Sequence, residues 1–258
     1  MMYFPCRRVV RASAAFDVLG EVCTMNLNAD FKQRVVLHTA TAQWQDSPQA
    51  GVQRIPLDRL GDEVARATSL VRFLPGRGFP EHVHGGGEEI LVLDGVFSDE
   101  SGDYPAGSYL RNPPGSRHSP CSVEGCTLLV KLWQFTPDDH SELRLDTQRL
   151  PWHPAGEVKG LALLSLHEHG SEHVALLRLQ PGTRCQEQSF PGGEELFVLE
   201  GCLSDEAGDY PAGTWLRNPR GSRFRRHSAE GALLYVKTGH IGAPTCWDAI
   251  QVEGTQLA

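Results

Sequence analysis

Residues 75–95 read PGRGFPEHVHGGGEEILVLDG, and residues 181–201 read PGTRCQEQSFPGGEELFVLEG. The two stretches align without a gap at an offset of 106. The likeness continues through SDESGDYPAGSYLRNPPGSRH at 98–118 and SDEAGDYPAGTWLRNPRGSRF at 204–224. Over 74–133 and 180–239 about half the positions are identical. The chain therefore carries one unit twice. The copies differ selectively: His82 becomes Gln188, His84 becomes Phe190 and His118 becomes Phe224, while Glu88 persists as Glu194. A shared frame around a stripped set of histidines separates scaffold from site.

The frame is β-rich. Short apolar runs such as ILVLDGVF and CTLLVKLW stand between Gly, Pro and Asp clusters, with turn signals about every eight to twelve residues. That rhythm predicts an all-β sandwich or barrel rather than a parallel α/β sheet. The turn Asp103–Gly107 recurs as Asp209–Gly213, so it serves the fold. The repeated acidic group Asp99, Glu100 and Asp103 reads the same way, with calcium as the lesser alternative. Leu57–Ala67 is expected to hold one short helical turn at most. Gln43–Pro56 is expected as leading edge strands, and 137–154, with three prolines, as the connection between halves. The expected division is an N-terminal extension at 1–34, a metal-binding domain at 35–140, a second domain with a degenerate site at 141–250, and a tail at 251–258. Met25 resembles a natural start, which leaves 1–24 as a disordered arm or an upstream extension.

A net charge of −8 argues against a nucleic-acid surface as the main function. The local run Arg217, Arg220, Arg223, Arg225 and Arg226 is expected to be a solvated rim, with Arg217 and Arg223 structural because copy one repeats them. No run of 18 apolar residues suggests a membrane span. Seven cysteines without paired spacing suggest reduced thiols and a cytoplasmic setting. Neither a G-x-S-x-G elbow nor a phosphate-binding G-x-x-x-x-G-K-[ST] loop occurs.

His82 and His84 are two apart, so on a strand both imidazoles face one side. Gly85–Gly87 allow a tight turn into Glu88 and Glu89, one of which can return to the same ion. Thirty residues after Glu88, His118 opens another strand. Three imidazoles and a carboxylate suit zinc, iron(II), manganese, nickel or copper. A second HxH at His167 and His169, near His173, lacks the downstream acid and reads as an exposed turn. Cys121, three residues past His118, is either an inert strand residue or an oxidation-sensitive thiol beside the metal. In copy two, Glu194 is expected to bond an arginine, with Phe190 and Phe224 filling the vacated volume.

These residues resemble the two motifs of the cupin superfamily. G-x5-H-x-H-x3-E-x6-G runs from Gly76 to Gly95, and G-x5-P-x-G-x2-H runs from Gly107 to His118; Ser122 stands where the second motif closes on asparagine. The resemblance implies a tandem bicupin of two jelly-roll barrels, the double-stranded β-helix. The phrases VLDGVFSDESGDYPAGSYLRNPPGSRH and VLEGCLSDEAGDYPAGTWLRNP resemble more narrowly the cupin domain of ChrR-type anti-sigma factors. In that group the matching residues hold zinc, which implies His82, His84, Glu88 and His118 as ligands of one divalent ion, with iron or manganese as the alternative. The implied function is a sensing or regulatory module responding to a small ligand or oxidant; the alternative is an iron- or manganese-dependent dioxygenase acting on a small chelating substrate such as a β-diketone. A homodimer is expected by resemblance. The helical sigma-binding zinc domain has no counterpart, since Cys6 and Cys23 do not fit its HxxxCxxC motif, so sigma-factor binding is not expected.

Overall fold

Alternation of apolar and polar side chains builds two antiparallel barrels in the computed structural model, which describes residues 26–62 and 64–256. The reading of 1–24 lies outside the described residues. In the first barrel the principal strands are β2 (Val52–Leu60), β3 (Arg66–Phe73), β4 (His82–Val83), β5 (Glu88–Asp99), β6 (Ser108–Asn112), β7 (Arg117–His118) and β8 (Cys126–Leu132). Its large sheet runs β6–β5–β8–β3–β2, with Gln45–Asp46 at the far edge. The second barrel repeats this with β10 (Leu161–His169), β11 (Glu172–Leu179), β12 (Gln188–Phe190), β13 (Glu194–Asp205), β14 (Thr214–Asn218), β15 (Ser222–Phe224) and β16 (Ala232–Thr238). Its sheet runs β14–β13–β16–β11–β10. Small pairs face the large sheets: β4 with β7 in barrel one, β12 with β15 in barrel two. This is the tandem jelly roll that the cupin resemblance implies.

Each unit lends a strand to the other. β1 (Val35–His38) pairs with β14 of the second barrel, and β9 (Leu143–Asp146) pairs with β6 of the first. Both exchanges cover an edge that would otherwise present free N–H and C=O groups. The stretch expected as a plain connection at 137–154 thus holds a paired strand. Within the stretch assigned to the N-terminal extension, Leu27 bridges Arg59 and Arg34 donates to Asp205 at 2.7 Å.

Period-2 alternation splits the apolar residues into three cores. Ile90, Val92 and Leu110 fill barrel one, and Leu196, Val198 and Leu216 fill barrel two. The residues between them, including Leu91, Tyr109, Phe197 and Trp215, pack the two large sheets together in a third core. Beside it lies a buried ionic network. Lys131 pairs with Glu195 at 2.5 Å, and Lys237 with Glu89 at 2.8 Å and Glu172 at 2.9 Å. Arg111 reaches Glu89, Glu172 and Asp139, and Arg217 reaches Asp58. Most of these pairs cross from one barrel to the other, so the charges of each are neutralised by its neighbour.

Two local expectations are corrected by this network. Leu57–Ala67 is not helical: it is the end of β2, a turn and the start of β3. Its polar residues imitate an exposed helix face, but Asp58 and Arg66 are buried partners at the seam. The arginine run is not a uniform rim. Arg217 and Arg226 are buried, whereas Arg223, expected to be structural, is 66% exposed. The acidic turn groups bond mostly within the turn: Asp99 Oδ1 accepts from the Ser101 amide and the Tyr104 hydroxyl, and Asp103 accepts from Ser98, while Asp99 Oδ2 lies 3.5 Å from His118 Nδ1. The chain also ends in a helix, α1 (Cys246–Gln256), for which no sequence signal was identified. Among the described residues no helix is long and apolar enough to cross a membrane.

Candidate metal centre

Three elements of barrel one converge on one point. β4 supplies His82, with His84 directly after it; β5 opens with Glu88; β7 ends on His118, which lies opposite His82 in the pairing register. One donor atom from each of His82, His84, Glu88 and His118 lies within 4.8 Å of all the others. The turn between His84 and Glu88 depends on glycine. Gly87 has φ +80°, and a Cβ there would stand 2.4 Å from the Phe135 ring.

The choice between the adjacent glutamates is made by strand alternation. Glu88 shares the interior face with Ile90 and Val92. Glu89 shares the opposite face with Leu91, where it accepts hydrogen bonds from Arg111, Lys237 and the Tyr235 hydroxyl. Asn112 donates to Glu88 at 3.0 Å and orients it.

The histidine tautomers suit an ion. Ser116 donates its hydroxyl proton to the Pro113 carbonyl at 2.6 Å, so its oxygen accepts from His84 Nδ1–H at 3.0 Å. His82 Nδ1–H donates to the Pro80 carbonyl, which can only accept. Both rings then turn an Nε2 lone pair inward. His84 Nε2 lies 3.2 Å from His118 Nε2, and both approach Glu88 Oε2, at 3.2 and 3.4 Å. Facing lone pairs repel unless a cation or proton lies between them. Burial raises the Glu88 carboxyl, but the hydrogen bond and charge of His84, the charge of His118 and the Asn112 amide outweigh it and hold it at about 2. Burial, with His84 and His82 adding like charge, pushes His118 down, against the pull of Glu88 and Asp99. An anionic carboxylate beside neutral imidazole is the protonation state that metal binding requires.

A cavity of about 250 Å³ opens onto these four side chains. Its walls are mostly apolar, including Phe73, Phe97, Leu128 and Val130, and Arg54 and Arg59 of β2 also line it. Trp133, at its rim, holds φ +60°, where the second copy places Gly239 at φ +77°. A tryptophan in the left-handed region is disfavoured by about 1–3 kcal/mol, and such strain clusters at functional sites.

Barrel two keeps the frame without the donors. Asn218 donates to Glu194 at 3.0 Å, as Asn112 does to Glu88. Gln188, Phe190 and Phe224 stand where the histidines were, and Arg226 forms a two-pronged salt bridge with Glu194. The guanidinium lies 4.9 Å from the Phe190 ring centre and 5.5 Å from that of Phe224. An internal cation takes the role of an external one, which meets the expectation of an arginine partner for Glu194.

A profile of the ChrR cupin-like domain matches residues 32–136 and again 140–242. The chain belongs to the ChrR cupin-like family. No curated protein matches it. Among solved structures, a candidate dioxygenase from Nostoc punctiforme is 19% identical, with 82% of this chain and 84% of that one covered at TM-score 0.66. The Escherichia coli protein YlbA is 14% identical, with 81% and 91% covered at TM-score 0.62. An oxalate decarboxylase of Bacillus subtilis is 13% identical, with 80% and 77% covered at TM-score 0.57. At these identities the likeness shows the fold.

Among the described residues, the remaining histidines do not gather with His, Cys, Asp or Glu into a second cluster of donors. His167 is buried rather than exposed and bonds Asp139 at 2.9 Å; His169 pairs with Asp138 and His173 with Glu168. Each serves a separate carboxylate. Cys121 is exposed on a short strand, and its neighbour Pro120 lines the cavity in its place. Arg54 and Trp133 escaped the reading of the sequence because both lie outside the motifs. A comparison of the two copies was the available signal, since Trp133 faces a glycine there.

Proposed function

We propose that barrel one binds one divalent ion, zinc, through His82, His84, Glu88 and His118, and that the bicupin is a regulatory module that senses a small molecule at this centre. The observation that carries this reading is the convergence of three imidazoles and one carboxylate, with a cavity opening directly on them. Tetrahedral zinc with ligands at about 2.0–2.1 Å sets donors about 3.4 Å apart; Glu88 lies 3.2 and 3.4 Å from His84 and His118, and all four donors lie within 4.8 Å of one another. Bound zinc would supply Lewis acidity without redox chemistry. The protein's part is to hold the donors in the correct tautomer, exclude bulk water with apolar walls and admit one small ligand.

The cavity supports a second reading. Iron or manganese in the same donor set would leave positions for a chelating substrate, and the chain would then be a dioxygenase acting on a compound such as a β-diketone. Elemental analysis of untagged protein beside His84→Ala decides. About one zinc per chain, lost in the variant, supports the sensing centre; iron or manganese supports the oxygenase. Equal metal in both proteins overturns the site.

A further inference from the structure

Arg54 lies in β2, on the barrel-facing side that Val52 shares, and its side chain lines the cavity above the four donors. Among the described residues, the other buried and half-buried cations have carboxylate or carbonyl partners, except Arg72, which stacks on Trp44. The Arg54 guanidinium makes neither a hydrogen bond nor an ion pair with any described residue; its contact is the Phe79 ring, 6.0 Å from the guanidinium carbon. Burial and the like charge of Arg59 depress its basicity, and the attraction of Glu88 only partly opposes them. A half-buried cation without a counter-ion beside an apolar cavity is an incomplete interaction, because burying charge is unfavourable unless it is paired.

The second copy supplies the control. Arg54 stands opposite Val71 in the β2–β3 register, and Leu163 stands opposite Leu177 in β10–β11. Val71 and Leu177 are equivalent at the offset of 106, so Leu163 occupies the position of Arg54. By the same pairing Glu168, opposite His173, occupies that of Arg59, opposite Ala67. Both cavity arginines are therefore absent from the barrel that lost its histidines. The scaffold does not need them; they accompany the metal donors.

Resting on the metal-centre reading above, we infer that the first barrel takes a small carboxylic acid with an apolar body, its carboxylate paired to the Arg54 guanidinium and its body against Phe73, Phe97, Leu128 and Val130. A cavity of about 150 Å³ accepts benzene, so 250 Å³ suits an acid of about the size of phenylacetate. A divalent ion on three neutral imidazoles and one carboxylate carries a net charge of about +1, and the two arginines add to it, so the cavity favours an anion. Guanidinium matches a carboxylate through two parallel hydrogen bonds. The mostly apolar walls select against small polar acids.

The test is calorimetric titration of phenylacetate into metal-loaded protein, with 2-phenylethanol as the uncharged control, on the wild type, Arg54→Leu and Arg54→Lys. Metal content and melting temperature are measured on each. Arg54→Leu installs the residue of the second barrel. It is expected to keep its metal and fold and to weaken phenylacetate at least about tenfold, the scale of a charged hydrogen bond. Arg54→Lys should recover part of the affinity. Phenylacetate binding that survives Arg54→Leu, equal binding of the alcohol, or a metal-replete wild type that binds neither would overturn the inference and leave the metal centre standing. A wild type that takes up no metal would overturn the metal centre instead, and phenylacetate binding that still depends on Arg54 would then uphold the anion site alone.

Discussion

Replacing Arg226 with alanine tests whether a salt bridge has taken over the role of the ion in barrel two. Glu194 has no exposed surface and Arg226 is 4% exposed, so the pair is screened from water. Without the guanidinium, the buried carboxylate retains only the Asn218 amide. Breaking a buried pair by removing one partner costs about 3–5 kcal/mol, because the remaining charge is left uncompensated. For a unit of this length about 1 kcal/mol shifts the melting temperature by about 2–4 °C, so Arg226→Ala is expected to lower it by about 6–20 °C. The double variant Glu194→Gln with Arg226→Leu removes both charges and keeps the Asn218 bond; it should recover most of the loss. Arg226→Lys should fall between, since an ammonium cannot span both carboxylate oxygens. The assay is thermal unfolding followed by circular dichroism, with metal content measured in parallel. A shift under about 2 °C for Arg226→Ala, or a double variant less stable than the single one, would show that Arg226 does not hold Glu194.

Further predictions follow from the same residues. Glu88→Gln should abolish metal uptake, whereas Glu89→Gln should retain the metal and destabilise the chain by about 3–5 kcal/mol, since it leaves Arg111 and Lys237 short of a counter-ion; elemental analysis and denaturant unfolding separate the two. Acid should weaken the seam between the barrels. Despite burial, which raises it, the Asp139 carboxyl is brought to about 2 by the Ser141 hydrogen bonds and the charges of Arg111 and His167. Glu172 is likewise held below its ordinary value by Lys237 and Arg111, against burial and the charge of Glu89. Folded values below unfolded ones mean that this stability is whole above about pH 5 and drains as the pH falls through 4 toward 2; a melting temperature unchanged from pH 7 to pH 3 would contradict it.

The barrels were legible because duplication and period-2 alternation are both properties of the chain itself. The four donors were legible for the same reason: His82 and His84 share a strand face, and the second copy removes the histidines together. Even the choice of Glu88 was available from alternation, since Glu88, Ile90 and Val92 fall on one side and Glu89 and Leu91 on the other. What escaped was decided by partners distant in sequence. Asp58 and Arg66 fall within a stretch that reads as one short helical turn at most, and Arg217 reads as structural only by its repetition, because nothing local shows that the three meet across a seam. Arg226 stands where copy one has Pro120, outside the motif, so its turn toward Glu194 became visible only with the register. The exchange of β1 and β9 is invisible for a similar reason: alternation specifies a strand and its buried face but not the edge it will join.

That exchange, with the ionic seam, gives the first barrel contacts that the second barrel alone supplies. Barrel one takes β9 from the second unit to cover β6, and two cations of that unit, Lys237 and Arg217, join Arg111 and Arg66 in neutralising Glu89 and Asp58. A chain cut after residue 140 would lose the strand and both cations. It would present an open edge, an uncovered apolar face at Leu91 and Tyr109, and a seam in which Glu89 keeps only Arg111 and Asp58 only Arg66. Residues 26–140 expressed alone are therefore expected to aggregate or remain unfolded, and extension to 146, which restores only β9, should not rescue them. A soluble, cooperatively melting fragment 26–140 that takes up metal would refute this dependence and show the second barrel to be dispensable. If the fragment fails, the second copy is a template whose emptied site no longer matters to it, while its sheet face and its cations still complete the first.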